Sequence, residues 1–157
     1  LYSQRDAEGT GFFRYPVSSQ NIQSVYPLGY RPVTTGDNED VSLALGLRGD
    51  AGAWSWDASL SFGRNTFEQG VKNSLNPSLG PSSPTSFFSG ETENELTSLN
   101  VDFGRAVNLG RPAQLALGAE WRREAFQSKA GELASYQAGP FTDLAIGAQA
   151  GGGLRPG

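Results

Sequence analysis

The sequence predicts an all-β fold of antiparallel up-and-down strands that form part of a transmembrane β-barrel. Apolar residues recur with a period of two, and no stretch shows a convincing helical period. Glycine (21) and proline (9) are abundant, as expected of strands joined by turns and loops. Turns of a few residues alternate with loops of about twenty, and transmembrane barrels place short turns at one end and long loops at the other.

The first predicted hairpin covers residues 39–68 or so. Apolar and polar or small residues alternate along its first strand, which gives the strand two distinct faces. The apolar residues are Val41, Leu43, Leu45 and Leu47, and the others are Ser42, Ala44, Gly46 and Arg48. After a turn at Asp50–Gly52, an apolar set that includes Trp54 and Trp56 alternates with a polar set that includes Asp57.

The second predicted hairpin covers residues 92–129 or so, with its turn at Asn108–Pro112. A register that places Leu99 opposite Trp121 keeps apolar residues on one face along both strands, whereas a slip of one residue would mix the faces. The same register places Glu91 opposite Lys129, beyond the apolar stretch. We therefore expect these strands to extend out of the membrane into water.

Two stretches without any period, residues 69–90 and 130–157 or so, are predicted to be long loops because they are rich in glycine, serine, alanine and proline. Near the start of the chain, Gly11–Tyr15 is predicted to close an earlier strand. Pro16–Thr35 is predicted to be a connector.

In a membrane barrel the apolar face meets lipid and the other face lines a polar lumen. The predicted lipid-facing residues are Leu43, Leu45, Trp54, Trp56, Leu60, Leu99, Val101, Phe103, Leu117 and Trp121. The predicted lumen-facing residues are Arg48, Asp57, Asn100, Asp102, Glu120 and Arg122. Tryptophans near strand ends favour the membrane interpretation, because aromatic side chains gather at membrane–water interfaces. An extracellular β-sandwich or adhesive module, whose apolar face packs on a second sheet, remains the alternative.

About five strands are predicted, and this number cannot close a barrel, because bacterial barrels use eight strands or more and an open edge is not tolerated in lipid. Residue 1 is Leu1 in a polar run, and no leader or membrane-spanning apolar segment follows. We therefore expect the chain to be an excerpt of a longer protein.

The composition argues against catalysis. Cysteine, histidine and methionine are all absent, which excludes thiol and imidazole chemistry and the usual zinc ligands. The net charge of −4 offers no attraction for nucleic acid. We expect a protein that is not an enzyme, with no cofactor, no bound metal and no nucleic-acid partner.

Three groups of acidic residues have two interpretations each. Asp37–Asp40 resembles a calcium loop but lacks the required glycine and distant glutamate, so a solvated strand entrance is favoured. The acidic run Glu91–Glu95 could bridge divalent cations to lipopolysaccharide, but pairing with Lys129 and Arg123 is the plainer explanation. Glu120 with Asp57 or Asp102 could form an acid–base pair, but no substrate pocket is defined, and solvation in a lumen is favoured.

Exposed aromatic residues in the predicted loops are the candidates for ligand contact, since bulky apolar groups on loops are costly unless they are used. These residues are Phe87, Phe88, Tyr136 and Phe141. Packing of one loop on another is the competing explanation. The glycine-rich stretch Gly147–Gly153 follows no strand and precedes no helix, so it does not predict a phosphate site.

An ordered succession of motifs resembles the barrel of TonB-dependent receptors of bacteria, from about Tyr26 to Pro140. The motifs are Trp54-Ser55-Trp56-Asp57, Ser61-Phe62-Gly63-Arg64-Asn65, Val71-Lys72-Asn73-Ser74-Leu75-Asn76, Ser78-Leu79-Gly80-Pro81, Pro84-Thr85-Ser86-Phe87 and Gly118-Ala119-Glu120-Trp121-Arg122-Arg123-Glu124. The succession is more specific than any one motif.

The resemblance implies a barrel of the bacterial cell outer membrane, plugged by a separate domain, that imports a scarce nutrient with energy from TonB. Iron-siderophores, cobalamin and carbohydrates are the ligand classes that it implies. Neither the plug nor the TonB-contacting segment is recognisable in this chain. The expected partners are therefore outer-membrane lipid, the remaining strands and plug of the parent chain, a small-molecule ligand, and TonB through parts not present here.

Overall fold

A computed structural model of the chain describes residues 1–141, which form one antiparallel up-and-down sheet of five strands in the order β1-β2-β3-β4-β5. The strands are β1 (Tyr2–Thr10), β2 (Val33–Ala51), β3 (Trp54–Lys72), β4 (Ser86–Asn108) and β5 (Pro112–Ala130). A 3₁₀ helix (Pro77–Ser82) lies between β3 and β4, and a short helix α1 (Leu133–Tyr136) follows β5. The all-β prediction is confirmed, and the five strands do not close into a barrel.

The strands are longer than the sequence pattern predicts. The hairpins predicted over 39–68 and 92–129 extend over Val33–Lys72 and Ser86–Ala130, so the connection between β3 and β4 is residues 73–85 rather than 69–90. Pairing with a neighbouring strand extends each strand through polar sequence that has no apolar alternation of its own. For example, the Ser74 backbone N–H donates to the Thr85 carbonyl at 2.9 Å, just beyond the strand ends.

The start of the chain also differs from the prediction. The first strand is Tyr2–Thr10 rather than a strand that ends within Gly11–Tyr15, and β2 begins at Val33, inside the predicted connector. Arg14 contributes only an isolated antiparallel bridge to Tyr30. The β1 sequence is largely polar, and its strand state comes from pairing with β2, as in the 2.8 Å bond from the Gly11 N–H to the Pro32 carbonyl.

The chain divides into two compact units, which are described separately. The turn unit comprises Leu1–Ser3, Asp40–Asn65 and Asn94–Phe126, and the loop unit comprises Gln4–Glu39, Thr66–Glu93 and the described residues from Gln127 onward. The turn unit contains both short turns. Gly52 and Gly110 adopt φ of 66° and 84° in these turns, and glycine is the residue that enters this left-handed region without steric cost.

The register of the sheet follows from specific contacts. The Ser61 and Ser98 hydroxyls, on β3 and β4, lie 2.7 Å apart. The Leu109 N–H donates to the Arg111 carbonyl at the β4–β5 turn, and Lys129 forms a 2.6 Å salt bridge with Glu91 farther along the same pair of strands. The predicted β4–β5 register, with Glu91 opposite Lys129, is therefore confirmed.

The loop unit contains the buried residues that come closest to a core. Its buried apolar side chains are those of Tyr30, Val71, Leu75 and Phe87. Around them, the segment between β1 and β2 is attached to the β3–β4 connection by two side-chain bonds, from the Tyr26 hydroxyl to the Ser74 carbonyl (3.2 Å) and from the Asn73 amide to the Arg31 carbonyl (2.7 Å). The core is small, and hydrogen bonds between loops accompany it.

Asn76 joins two connections of the loop unit. Its side chain is fully buried, its amide nitrogen donates to the carbonyls of Ala134 and Gln137 at 3.0 Å each, and its side-chain oxygen accepts from the Ser78 N–H and hydroxyl. Ala134 and Gln137 lie in the predicted loop 130–157. The part of that loop beyond residue 141, including Gly147–Gly153, lies outside the described residues.

No helix within residues 1–141 has the length and hydropathy that crossing a membrane would require.

Candidate functional site

The turn unit carries an apolar face that runs across strands β2 to β5. With the register above, residues directly opposite one another form cross-strand rows of apolar side chains. One row is Leu45, Leu60, Leu99 and Trp121, and another is Trp56, Phe103 and Leu117 beside Gly49, whose position is overlaid by the Trp56 ring. All ten residues predicted to face lipid lie at positions of this one face.

This apolar face is exposed in the turn unit. Leu43, Leu45, Leu117 and Trp121 each expose more than half of their surface. A soluble domain rarely leaves such a continuous set of large apolar side chains in water. Along β2 the face extends from Leu43 to Ala51, which at a tilted strand rise of roughly 2.5 Å per residue corresponds to about 20 Å. A membrane-spanning band is about 25 Å tall.

A cation–π pair marks the turn end of this face. Trp54 begins β3, and the Arg105 guanidinium of β4 lies 5.6 Å from the centre of its ring. Tryptophan and arginine are both favoured where an apolar layer gives way to a charged one, because each combines apolar surface with a polar group.

The opposite face of the turn unit is polar. All six residues predicted to face a lumen lie at its positions: Arg48, Asp57, Asn100, Asp102, Glu120 and Arg122. Arg122 forms 3.4 Å salt bridges with Glu120 and Glu124 along its own strand. Arg48, Asp57 and Asp102 line one shallow hollow of 560 Å³, and a Cβ at Gly118 would collide with the Asp102 carboxylate. Glycine at 118 therefore leaves room for a charged neighbour.

The acidic groups considered in the sequence have ordinary partners. Lys129 pairs with Glu91, as predicted, and Glu95 lies 4.0 Å from Arg64 rather than beside Arg123. The reason for this difference is the β3–β4 register, which places Arg64 opposite Glu95. Among the described residues, no group of three or more acidic side chains has the geometry to hold a metal ion.

The four predicted ligand-contact aromatics differ in their surroundings. Phe87 is buried, and the Phe141 ring packs over Gly80, where a Cβ would collide with it. Phe88 is 39% exposed and Tyr136 is half-buried. None of the four lines the cavity of 640 Å³ in the loop unit. Phe87 and Phe88 belong to β4 rather than to a loop, and the Phe141 ring packs on the β3–β4 connection at Gly80.

The loop unit instead contains a cavity of 640 Å³ that the sequence did not indicate. Ala7 and Gly9 of β1, Thr34 and Gly36 of β2, and Phe67, Gln69 and Val71 of β3 line it, together with the segment 11–32 and the start of the β3–β4 connection.

The segment 11–32 contributes Phe12, Arg14, Gln20 and Tyr30 to this cavity. The Arg14 and Tyr30 backbones exchange two hydrogen bonds of 2.6 and 2.9 Å, and the Tyr30 hydroxyl donates to the Gln20 carbonyl at 2.8 Å. Gly29, with φ of 82°, lies so close to the Arg14 carbonyl that a Cβ there would collide with it. The Arg14 backbone is thus held in place by glycine and a tyrosine.

Two stacked tyrosines form the base of this segment. The rings of Tyr26 and Tyr30 are 4.5 Å apart and nearly parallel. Burial raises the pKa of Tyr30 above its ordinary value, an effect opposed by the charge of Arg14 and supported by Tyr26. Burial also raises the pKa of Tyr26. Both phenols are therefore protonated donors at neutral pH.

The signal that could have indicated this cavity is the run Phe12-Phe13-Arg14-Tyr15, which places three aromatic rings and a cation together. The sequence analysis assigned this run to the end of a predicted strand and the residues after it to a connector. The cavity is formed by residues of strands β1 to β4 and of two connections, and only the fold brings these together.

No protein-family model, no curated protein and no solved structure matches this chain. Function is therefore inferred from the apolar face, the polar face and the cavity.

Proposed function

We propose that these strands are part of the barrel wall of a TonB-dependent receptor in the bacterial outer membrane, and that the protein takes part in the uptake of a scarce nutrient. The observation that carries the proposal is the exposed apolar face of the turn unit. Each square ångström of apolar surface that is removed from water stabilises a protein by about 25 cal/mol, and an apolar face exposed to water lacks this stabilisation. Lipid on one side and a polar lumen on the other would satisfy both faces at once.

The edges of the sheet support the same proposal. β1 and β5 are the outer strands of the five, and an edge strand in lipid would leave backbone groups without partners. In a barrel these two edges pair with further strands of the parent protein. Gating by a plug and energy from TonB belong, in this proposal, to other parts of that protein.

The charge distribution along β4 fits strands that continue beyond the lipid. Leu99, Val101 and Phe103 alternate on the apolar face, whereas Glu91, Glu93 and Glu95 occupy the same alternation farther from the turn. β4 has 23 residues, and a strand needs only about 9–11 to cross the hydrocarbon layer. We propose that the remaining residues reach the aqueous side and that the cavity contacts ligand there.

Cysteine labelling of the full-length protein in outer-membrane vesicles tests which residues face lipid and which face the lumen. Cysteines at Val101 and Leu117 should resist a water-soluble thiol reagent, and a cysteine at Asn100 should react, because it faces the lumen. The Asn100 variant is the matched control, since it lies next to Val101 on the same strand. Equal labelling of all three positions, with background cysteines of the parent removed, would contradict the proposal.

Arginine substitutions at the same positions add an energetic test. Arginine at Val101 or Leu117 should lower the unfolding free energy in lipid by about 2–4 kcal/mol, because a charge near the midplane is poorly solvated. Asn100→Arg should cost less. A structure of the parent protein in which a second sheet covers Val101 and Leu117 would instead support the alternative, an extracellular β-sandwich.

A further inference from the structure

We propose that the 640 Å³ cavity of the loop unit binds a small amphipathic anion, with Arg14 contacting the anionic group and Phe12 and Phe67 contacting the apolar part. The inference deepens the proposed uptake function and rests on it for the role of the ligand, although binding itself can be tested separately. The volume lies within the range of about 300–1,000 Å³ typical of small-molecule sites.

The charges of the lining favour an anion. Two charged residues line the cavity, Glu8 and Arg14. Glu8 is neutralised by Lys72, whose ammonium lies 3.3 Å from its carboxylate. Within residues 1–141, no carboxylate forms a salt bridge with Arg14. A chain with a net charge of −4 thus has a half-buried arginine without a carboxylate partner in the lining of this cavity.

The geometry of Arg14 suits recognition rather than solvation. Its backbone is fixed on both sides by the bonds to Tyr30, so little backbone ordering is needed when a ligand binds. A guanidinium binds a carboxylate, sulfonate or phosphate through paired N–H donors, and such charge-assisted bonds are about twice as strong as neutral ones.

The rest of the lining favours an apolar body with a few acceptors. The Phe67 ring lies against Gly36, where a Cβ would collide with it, and Val71 and Leu75 are buried at the cavity wall. Gln20, Gln69 and Thr34 add polar groups around these apolar surfaces. A flat aromatic or alicyclic acid matches this combination.

The test uses the full-length protein in lipid nanodiscs with two probes of equal shape, 2-naphthoate and its neutral amide. Binding is measured by saturation-transfer NMR. The wild-type protein should bind the acid about tenfold more tightly than the amide, which is the strength expected of a charge-assisted pair. Arg14→Gln should remove this preference and leave amide binding unchanged, and Arg14→Lys should retain part of it.

Two further variants make the result specific. Arg111→Gln removes an exposed cation in the β4–β5 turn that is not part of the cavity lining, and should leave the preference intact. Phe67→Ala should weaken both probes equally. The proposal fails if the wild type binds neither probe, if acid and amide bind equally, or if Arg14→Gln keeps the full preference. None of these outcomes depends on the labelling of Val101, so failure here is distinguishable from failure of the barrel proposal.

Discussion

At the scale of single residues, the loop unit depends on side chains whose polar groups are buried and paired. Tyr30 is 6% exposed, stacks on Tyr26 and donates its hydroxyl proton to the Gln20 carbonyl. Ionisation would remove this donor and place a negative charge in a poorly solvated position. Burial is the main cause of the raised pKa of Tyr30.

The raised pKa of Tyr30 predicts that the stability of the folded protein depends on pH in the alkaline range. Because the pKa in the folded protein lies above that of the unfolded chain, the contribution of Tyr30 to stability is complete below pH of about 10 and is lost as pH rises through the folded value. The full-length protein should lose loop-unit structure above that pH, with a late tyrosinate transition in its ultraviolet absorbance. Tyr30→Phe should reduce the amplitude of that late transition and leave the part that comes from Tyr26, whose pKa is also raised by burial. An unchanged amplitude of the late transition in Tyr30→Phe would contradict the prediction.

At the scale of elements, the connections of the loop unit hold one another. The β3–β4 connection and the segment around α1 are joined through Asn76 and Ser78, and the amides of Gly139 and Phe141 donate to the Ser78 hydroxyl and carbonyl. The stability of either connection therefore depends on the other.

Asn76→Ala tests this dependence. The substitution removes the amide donor to the part-buried carbonyls of Ala134 and Gln137, of which Gln137 keeps the Ser78 hydroxyl at 3.4 Å. An acceptor left unpaired costs about 1–3 kcal/mol. Hydrogen exchange at the amides of Gly139 and Phe141 in the full-length protein should accelerate by tenfold or more, since about 1.4 kcal/mol corresponds to a factor of ten. Ser82→Ala removes an exposed hydroxyl bonded only to Leu79 of its own turn and is the control. Equal exchange in both variants would show that the two connections are independent.

At the scale of the whole molecule, the described sheet has two outer strands and a broad apolar face. We expect residues 1–157, expressed alone, to form no stable monomer in water, because the unpaired edges and the apolar face both favour association. Sedimentation with and without detergent measures this directly. A cooperative thermal transition of a soluble monomer would contradict it and favour the sandwich.

The sequence by itself determined the strands of the turn unit, the two faces and the β4–β5 register. It could do so because alternation reports which side of a strand each residue occupies, and residues such as Leu99 and Trp121 lose their apolar partners in any slipped register. The length of the strands, the strand Tyr2–Thr10 and the partner of Glu95 were decided only by the tertiary structure. In these polar stretches the residues adopt the strand conformation because they pair with a strand that is distant in sequence.

The cavity, too, was decided only by the tertiary structure. Arg14, Phe67 and Val71 lie in segments of different pattern, and no local spacing relates them. They meet because β1, β2 and β3 pair along their polar ends and because Gly29 lets the Arg14 backbone approach closely. Periodicity reports how one strand meets its surroundings, whereas a binding cavity depends on which strands and connections are brought side by side.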